Sequence, residues 1–282
     1  MSNSLNKIIS RSLKKIYFHL FLNDTSKESY YYYLKNLVLE FLITKYPKYN
    51  KEVFEKKIDH IINIIYNNDF IPTLLDLDTL LNPHFNDDLE FSYKNYERKI
   101  FLRLISYSLN KKMISEKYTN IYNFGIEKIK EPLNILEIGG GIPHGLIYNV
   151  WKKDRAFIKN FTYVEANLLH SEFVEWYCKK LNISNDIKLF KPSKTPILNN
   201  LKFNFVFAKD VFEHLDAPEI LIDYLINNTT DKKTLLCLDL EHKGKKVGQH
   251  ISPNLPILKE RLIKNNFEVV KKFKEIHIWK KK

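Results

Sequence analysis

Glycine, cysteine and long apolar stretches are scarce in this sequence. Its 282 residues include seven glycines, and the first 124 positions have none. The two cysteines, Cys178 and Cys237, lack metal-ligand spacing, which excludes a disulfide framework or a cysteine-based zinc site. No stretch has the length and uninterrupted apolarity of a membrane span. We therefore expect a cytoplasmic globular protein with two reduced thiols.

Positive charge is abundant but lacks the patterns of nucleic-acid-binding proteins. The formal net charge is +12, and lysine supplies most of it along every predicted helix and at positions 280–282. Neither an arginine cluster nor an aromatic-glycine stacking motif accompanies this charge. An acidic or phosphorylated acceptor fits this charge equally well, so we do not expect nucleic acid as a partner.

The glycine-free first part of the chain indicates a helical domain. Phe54, Ile58, Ile61, Ile62 and Ile65 follow helical spacing and form one apolar stripe. With 44% apolar residues, the chain is large enough for two modules. We predict an all-α domain at 1–125, which covers a substrate cleft or forms a homodimer, and a second domain at 126–282.

Four of the seven glycines lie close together, after a short apolar segment. Leu133–Ile138 is predicted to be a buried strand, Gly139, Gly140 and Gly141 form a turn, and a helix follows from about Pro143. Such a turn directs free N–H groups and the positive end of the helix dipole toward a ligand. His144 replaces the third glycine of the dinucleotide-binding fingerprint, which excludes that motif. An ordinary strand-to-helix turn remains the alternative.

The second domain is predicted to be a doubly wound α/β sheet. Further strands are expected at Phe161–Ala166, Ile187–Phe190, Phe203–Ala208 and Thr234–Leu240, with helices between them and a last helix at about Leu255–Lys264. Strands that alternate with helices favour a mostly parallel sheet. Phe267–Phe273 and Lys274–Lys280 are nearly adjacent and must form an antiparallel hairpin, which gives seven strands.

The motifs of this domain resemble those of class I S-adenosylmethionine-dependent methyltransferases. Glu137, two residues before Gly139, resembles the acid of motif I, and Lys209–Asp216 is similar to motif IV in its Asp-x-x-Glu-His form. The terminal hairpin also distinguishes that family's sheet from the all-parallel nucleotide-binding sheet. The resemblance covers roughly residues 126–282 and implies S-adenosylmethionine as the cofactor.

The resemblance also implies roles for individual residues. The cofactor is expected above Gly139, Gly140 and Gly141, with Glu137 neutralising its cationic part and Glu165 accepting hydrogen bonds from its ribose hydroxyls. Asp210 is expected to contribute to the same pocket. The family's acid after the third strand is absent, so the adenine amine would require Ser193, Asn199 or backbone carbonyls.

Asp210, Glu213 and His214 are candidates for the chemistry. If a helical turn begins near Asp210, these residues share one face. His250 lies in a glycine- and lysine-containing loop at the same sheet edge, where His242 competes with it. We expect His214 or His250 to act as a general base without metal. The alternative is a divalent metal held by Asp210, Glu213, His214 and His250.

Together these observations predict O-methylation. The family's N-methyltransferases often have an Asn/Asp-Pro-Pro-aromatic motif after the fourth strand, where this chain has Lys209-Asp210-Val211-Phe212. We expect a hydroxylated small molecule, a sugar or a glycan precursor as the acceptor. The alternatives are a metal-dependent RNA 2′-O-methyltransferase and a non-catalytic binding or scaffold protein that keeps the fold.

Overall fold

The computed structural model divides the chain into two compact units. It describes residues 25–67, 104–109, 116–153, 155–191, 194–229, 231–240 and 255–282. The first unit spans Met1–Ser115 and the second spans Glu116–Lys282. The second unit therefore begins at Glu116, whereas the sequence placed the boundary after residue 125.

The described part of the first unit is helical. Helix α1 spans Thr25–Lys45, helix α2 spans Lys51–Asn67, and residues 104–109 are also helical. Asn50 caps α2, because its Oδ1 accepts a hydrogen bond from the Val53 N–H at 3.0 Å. The predicted stripe of α2 is buried from Phe54 through Ile62, whereas the side chain of Ile65 lies outside the description. The role of this unit as a substrate cover or dimer interface stays a prediction.

The second unit alternates helices and strands. Its helices are α3 Glu116–Ile129, α4 His144–Lys153, α5 Leu168–Lys180, α6 Pro218–Asn228 and α7 Pro256–Lys264, and short 3₁₀ helices span Arg155–Phe157 and Phe212–His214. Its strands are β1 Leu133–Ile138, β2 Ile158–Glu165, β3 Asn185–Leu189, β4 Phe205–Ala208, β5 Leu235–Asp239, β6 Phe267–Phe273 and β7 Ile276–Lys281. In the described residues, no helix is long and apolar enough to cross a membrane.

These seven strands form one mixed sheet in the order β3-β2-β1-β4-β5-β7-β6. Strands β1 to β5 pair in parallel, and β7 pairs antiparallel with both β5 and β6. The prediction of an α/β sheet is confirmed. Strand β1 has the predicted bounds, and β2 starts at Ile158, three residues before the predicted Phe161.

Apolar burial explains why the central strands form. Every residue of β4 and β5 is buried, as expected for parallel strands that are covered on both faces. On one face, Val206 and Leu236 pack with Leu221 and Leu225 of α6 and with Trp279 of β7. This packing secures the central strands against α6 and β7.

The parallel strands bring the candidate site residues to one edge of the sheet. Strand β1 ends at Ile138, β2 at Glu165 and β4 at Ala208, and their register places these ends side by side. Helix α5 starts just after β2, with Asn167 as its N-cap. The carboxyl edge of an open α/β sheet is where ligands bind in such folds. The loops at this edge are therefore the expected place for a ligand site.

Candidate functional site

The turn after β1 requires glycine for conformational and steric reasons. Gly139 and Gly141 have φ angles of +60° and +62°, in the left-handed region that favours glycine. A Cβ atom on Gly139 would lie 2.7 Å from Cγ2 of Val211. The N–H of Gly139 donates to the carbonyl of Val164 on β2 at 2.7 Å. The turn is therefore fixed between the ends of β1 and β2.

The carboxyl group of Glu165 ties this turn to the end of β2. Its Oε2 accepts from the Gly141 N–H at 3.0 Å, and its Oε1 accepts from the Ala166 and Asn167 N–H groups at 2.8 and 3.0 Å. Glu165 is only 7% exposed. Burial raises the pKa of this carboxyl group, and the backbone hydrogen bonds oppose that shift. The residue expected to contact a ribose is thus held in place by the main chain.

Tyr163 of β2 holds the other side of the same peptide. Its hydroxyl donates to the carbonyl of Gly141 and lies 3.1 Å from Oε2 of Glu165. Because a phenol has one hydrogen, it cannot donate to both oxygens at once. Burial raises the pKa of Tyr163. Gly141 is therefore fixed through both its N–H and its carbonyl group.

Glu137, the last acid of β1, is buried beneath the turn. It is 2% exposed, and its Oε2 accepts a hydrogen bond from the hydroxyl of Tyr122 on α3. Burial and the nearby charge of Glu165 raise the pKa of Glu137 to about 8, although the Tyr122 hydrogen bond opposes the shift. The carboxyl group expected to neutralise a cation is therefore mostly protonated at pH 7 in this arrangement.

The segment after β4 differs from the prediction in its backbone. Asp210 has a φ angle of +52° and lies before the 3₁₀ helix Phe212–His214. The expectation that Asp210, Glu213 and His214 share one helical face is therefore wrong. Spacings of three and four residues align side chains only in a continuous α-helix, and a three-residue 3₁₀ helix that starts after Asp210 does not provide one.

The side chains of this segment point to different environments. The carboxylate of Asp210 is 54% exposed and pairs with the ammonium of Lys209. Glu213 is buried, and within the described part of the chain its Oε2 has no hydrogen-bond partner. His214 is half-buried. Asp210 is thus paired with its neighbour, whereas Glu213 is enclosed.

Lys209 itself is largely buried beside α3. Its Nζ lies 5.7 Å from the centroid of the Tyr118 ring. Burial acts to lower the pKa of Lys209, but the charges and hydrogen bonds of Asp210 and Tyr118 together raise that pKa above its usual range. Lys209 therefore stays charged and forms an ion pair with Asp210.

The remaining predicted residues are either exposed or outside the described part of the chain. Ser193, His242 and His250 lie outside the described residues, and Asn199 is exposed. Within the ranges that the structure describes, no group of three or more histidine, cysteine, aspartate or glutamate residues could hold a metal ion. A metal site that includes His250 therefore stays an untested alternative.

Sequence reasoning missed Tyr122 and Tyr163, which contact the turn and its acids. Gly125 and Gly145 were the available signal for Tyr122. A Cβ atom on Gly145 would lie 2.6 Å from Cε2 of Tyr122, and one on Gly125 would lie 2.7 Å from Cδ2 of Phe205. Isolated glycines inside helices mark such close approaches. They indicate that α3 packs tightly on the sheet, next to the glycine turn.

A cavity of about 590 Å³ lies at the opposite edge of the sheet. The residues that line it include Pro132 just before β1, Lys159 at the start of β2 and Phe203 just before β4. The candidate site residues do not line this cavity. Ligands of open α/β sheets bind at the carboxyl edge, so we assign the candidate site to the glycine turn.

Comparisons with known proteins give similarities in fold. The sequence matches no protein-family model and no curated protein. The crystal structure of the cyclase SpnF aligns at 14% identity with a TM-score of 0.40, covering 54% of this chain and 58% of SpnF. The structure of the 16S rRNA methylase ArmA aligns at 14% identity with a TM-score of 0.33, covering 67% of this chain and 100% of ArmA. Both likenesses concern the fold alone.

Proposed function

We propose that this protein is an S-adenosylmethionine-dependent methyltransferase. The observation that carries the proposal is the turn with left-handed Gly139 and Gly141, flanked by Glu137 and Glu165 at the ends of adjacent strands. The antiparallel pairing of β7 with β5 and β6 agrees with the terminal hairpin that the family resemblance implies. A glycine turn and two acids suit a ligand that carries both hydroxyl groups and cationic groups.

The residues at the turn fit this cofactor. An ionised carboxylate offers about four lone-pair directions. Backbone N–H groups of Gly141, Ala166 and Asn167 use three of those of Glu165. One direction is left for a ribose hydroxyl, so direct acceptance of one hydroxyl is favoured over acceptance of both. Glu137 is the acid available to the cationic part of the molecule.

The cofactor supplies an electrophilic methyl group on a sulfonium, and the protein supplies proximity, orientation and a base. Glu165 and the glycine turn would orient the nucleoside. His214 lies one residue after the buried Glu213 and is our candidate base, with His250 as the alternative. Such a base would take the proton of an acceptor hydroxyl as the new C–O bond forms, while the bond between the methyl group and the sulfonium breaks and the demethylated cofactor leaves as a neutral thioether.

We infer a hydroxylated acceptor, such as a small molecule, a sugar or a glycan precursor. The sequence after β4 lacks the proline pair typical of N-methylation. The ion pair of Asp210 with Lys209 disfavours a metal-dependent mechanism, because it engages the carboxylate that a metal would need. A metal-dependent RNA 2′-O-methyltransferase and a non-catalytic scaffold remain the competing hypotheses.

Binding and product analysis test these hypotheses together. Calorimetry with S-adenosylmethionine should show binding to the natural sequence, and incubation with panels of hydroxylated metabolites, sugar derivatives and RNA should give a methylated product by mass spectrometry. Cofactor binding with no product from any panel would support the scaffold hypothesis. Absence of cofactor binding would overturn the proposal.

A further inference from the structure

Helix α3 brings a fully buried tyrosine to the candidate cofactor turn. The Tyr122 ring packs against Phe205 and Phe207, with centroid distances of 4.9 and 6.0 Å. Gly145 of α4 leaves room for this ring, since a Cβ atom there would overlap it. Lys153 of α4 also donates to Oδ1 of Asn123 on α3 at 2.6 Å. These contacts fix the Tyr122 ring on the sheet.

The Tyr122 hydroxyl donates to Oε2 of Glu137, within a buried group of acids. From β2, Glu165 and Tyr163 interact electrostatically with Glu137, and from β5, Cys237 interacts with Tyr122. Every one of these groups is neutral or negative. These neighbours therefore favour the protonated form of Glu137 when no cationic ligand is bound.

We propose that Tyr122 is a positioning residue of the cofactor site, which holds Glu137 so that a cationic ligand at the glycine turn binds with release of the Glu137 proton. This inference rests on the proposed function for the identity of the ligand. It adds a residue of α3 to the site, because Tyr122 lies before the part of the chain, roughly residues 126–282, that the sequence resemblance covers. It also predicts that ligand binding releases a proton, which a tyrosine that only packs against its neighbours would not cause.

The direction of the effect follows from linkage. A cation near Glu137 favours the ionised form, so binding at pH 7 displaces a proton, and affinity rises with pH until Glu137 is already ionised. The Tyr122 hydrogen bond also favours the ionised form. Its removal should therefore raise the pH at which affinity levels off and weaken binding at pH 7.

Calorimetry at several pH values, in buffers of different ionisation enthalpy, tests this proposal. The probes are S-adenosylmethionine and adenosine, which lacks the sulfonium and ammonium groups. For the natural sequence at pH 7, we expect about one proton released with S-adenosylmethionine, an affinity that rises about tenfold per pH unit up to about pH 8, and no release with adenosine. Glu137→Gln should release no proton with either probe.

Two tyrosine variants separate positioning from packing. In Tyr122→Phe, the affinity for S-adenosylmethionine should continue to rise to a higher pH before it becomes constant. Tyr177→Phe, which removes a buried hydroxyl in α5, should leave the profile unchanged. If Tyr122→Phe does not fold, carbon-13 NMR titration of the Glu137 carboxyl group in the natural sequence replaces it, and a midpoint in the ordinary glutamate range would overturn the proposal.

The remaining outcomes distinguish this proposal from the proposed function. Binding of S-adenosylmethionine without proton release, or an unshifted profile in Tyr122→Phe, would overturn the role of Tyr122 and leave the methyltransferase proposal standing. Failure of both probes to bind would overturn the methyltransferase proposal, and this inference with it.

Discussion

The carboxyl edge of the sheet has two regions that are organised differently. At the ends of β1 and β2, Glu137 and Glu165 are buried and hydrogen-bonded, and Glu165 is held by three backbone N–H groups. After β4, Asp210 is mostly in solvent and pairs with Lys209, and the Oε2 atom of the buried Glu213 has no hydrogen-bond partner among the described residues. We call these the β1–β2 region and the β4 region.

This difference has a physical cause and a functional consequence. Burial of a carboxyl group is costly unless hydrogen bonds compensate for the lost hydration. In the β1–β2 region, the turn and Tyr122 provide those bonds, so the protein itself fixes the geometry before any ligand arrives. In the β4 region, solvent and Lys209 satisfy Asp210. A region whose geometry the protein itself fixes thus lies beside a region whose polar groups are separated from one another.

The largest expected effect is the loss of cofactor binding in Gly141→Val. The φ angle of +62° is unfavourable for a β-branched residue, at a cost of about 1–3 kcal/mol. The strain would also disturb the hydrogen bonds of Gly141 with Glu165 and Tyr163. Calorimetry should detect no S-adenosylmethionine binding while circular dichroism shows a folded protein. Unchanged affinity would mean that the β1–β2 region is not the binding site.

Glu165→Ala should weaken cofactor binding by roughly ten- to a hundredfold, or about 1.5–3 kcal/mol, because a charged hydrogen-bond acceptor is lost. Asp186→Ala is the matched control, since Asp186 is also a strand carboxylate but pairs with Lys188 at 3.0 Å on β3. The control should bind like the natural sequence. Equal affinities in all three proteins would show that Glu165 only stabilises the strand end.

Glu137→Gln should change how stability depends on pH. The pKa of Glu137 is raised from 4.5 to about 8 in the folded protein, so its stabilising effect is complete below about pH 4.5 and is lost as pH rises through 8. Between these values, this group should lower the free energy of unfolding by up to about 1.4 kcal/mol per pH unit.

Urea unfolding from pH 5 to about pH 8 checks this expectation. The natural sequence should show the additional loss of stability, and Glu137→Gln should lack it. Glu268→Gln, at an exposed position on β6, serves as the control and should follow the natural sequence. Parallel pH dependence in all three proteins would contradict the raised pKa.

The smallest expected effect is that of a chelator on methyl transfer. With Asp210 paired to Lys209, we expect activity to be indifferent to chelation and His214→Ala to be more damaging than Glu213→Ala. A metal site would make both variants equally damaging. Activity that a chelator abolishes and magnesium restores would show that the β4 region assembles around a cation.

Much of the β1–β2 region could be predicted because its signals are local. The apolar run Leu133–Ile138, the glycines that follow it and the acid at the end of β2 are each recognisable in a few consecutive residues. The β4 region was predicted less well. The helical spacing of Asp210, Glu213 and His214 assumed a continuous helix, whereas the left-handed backbone at Asp210 and the pairing with Lys209 separate these residues.

The sequence by itself determined the alternation of strands and helices and the positions of glycines and acids at strand ends, because hydrophobic periodicity and backbone restrictions act over short distances. Only the tertiary structure decided which side chains those acids contact. Tyr122 reaches Glu137 because α3 packs against β4 and α4 at glycine-permitted close approaches. Such a contact depends on how whole elements pack in space, and residue spacing along the chain does not encode it.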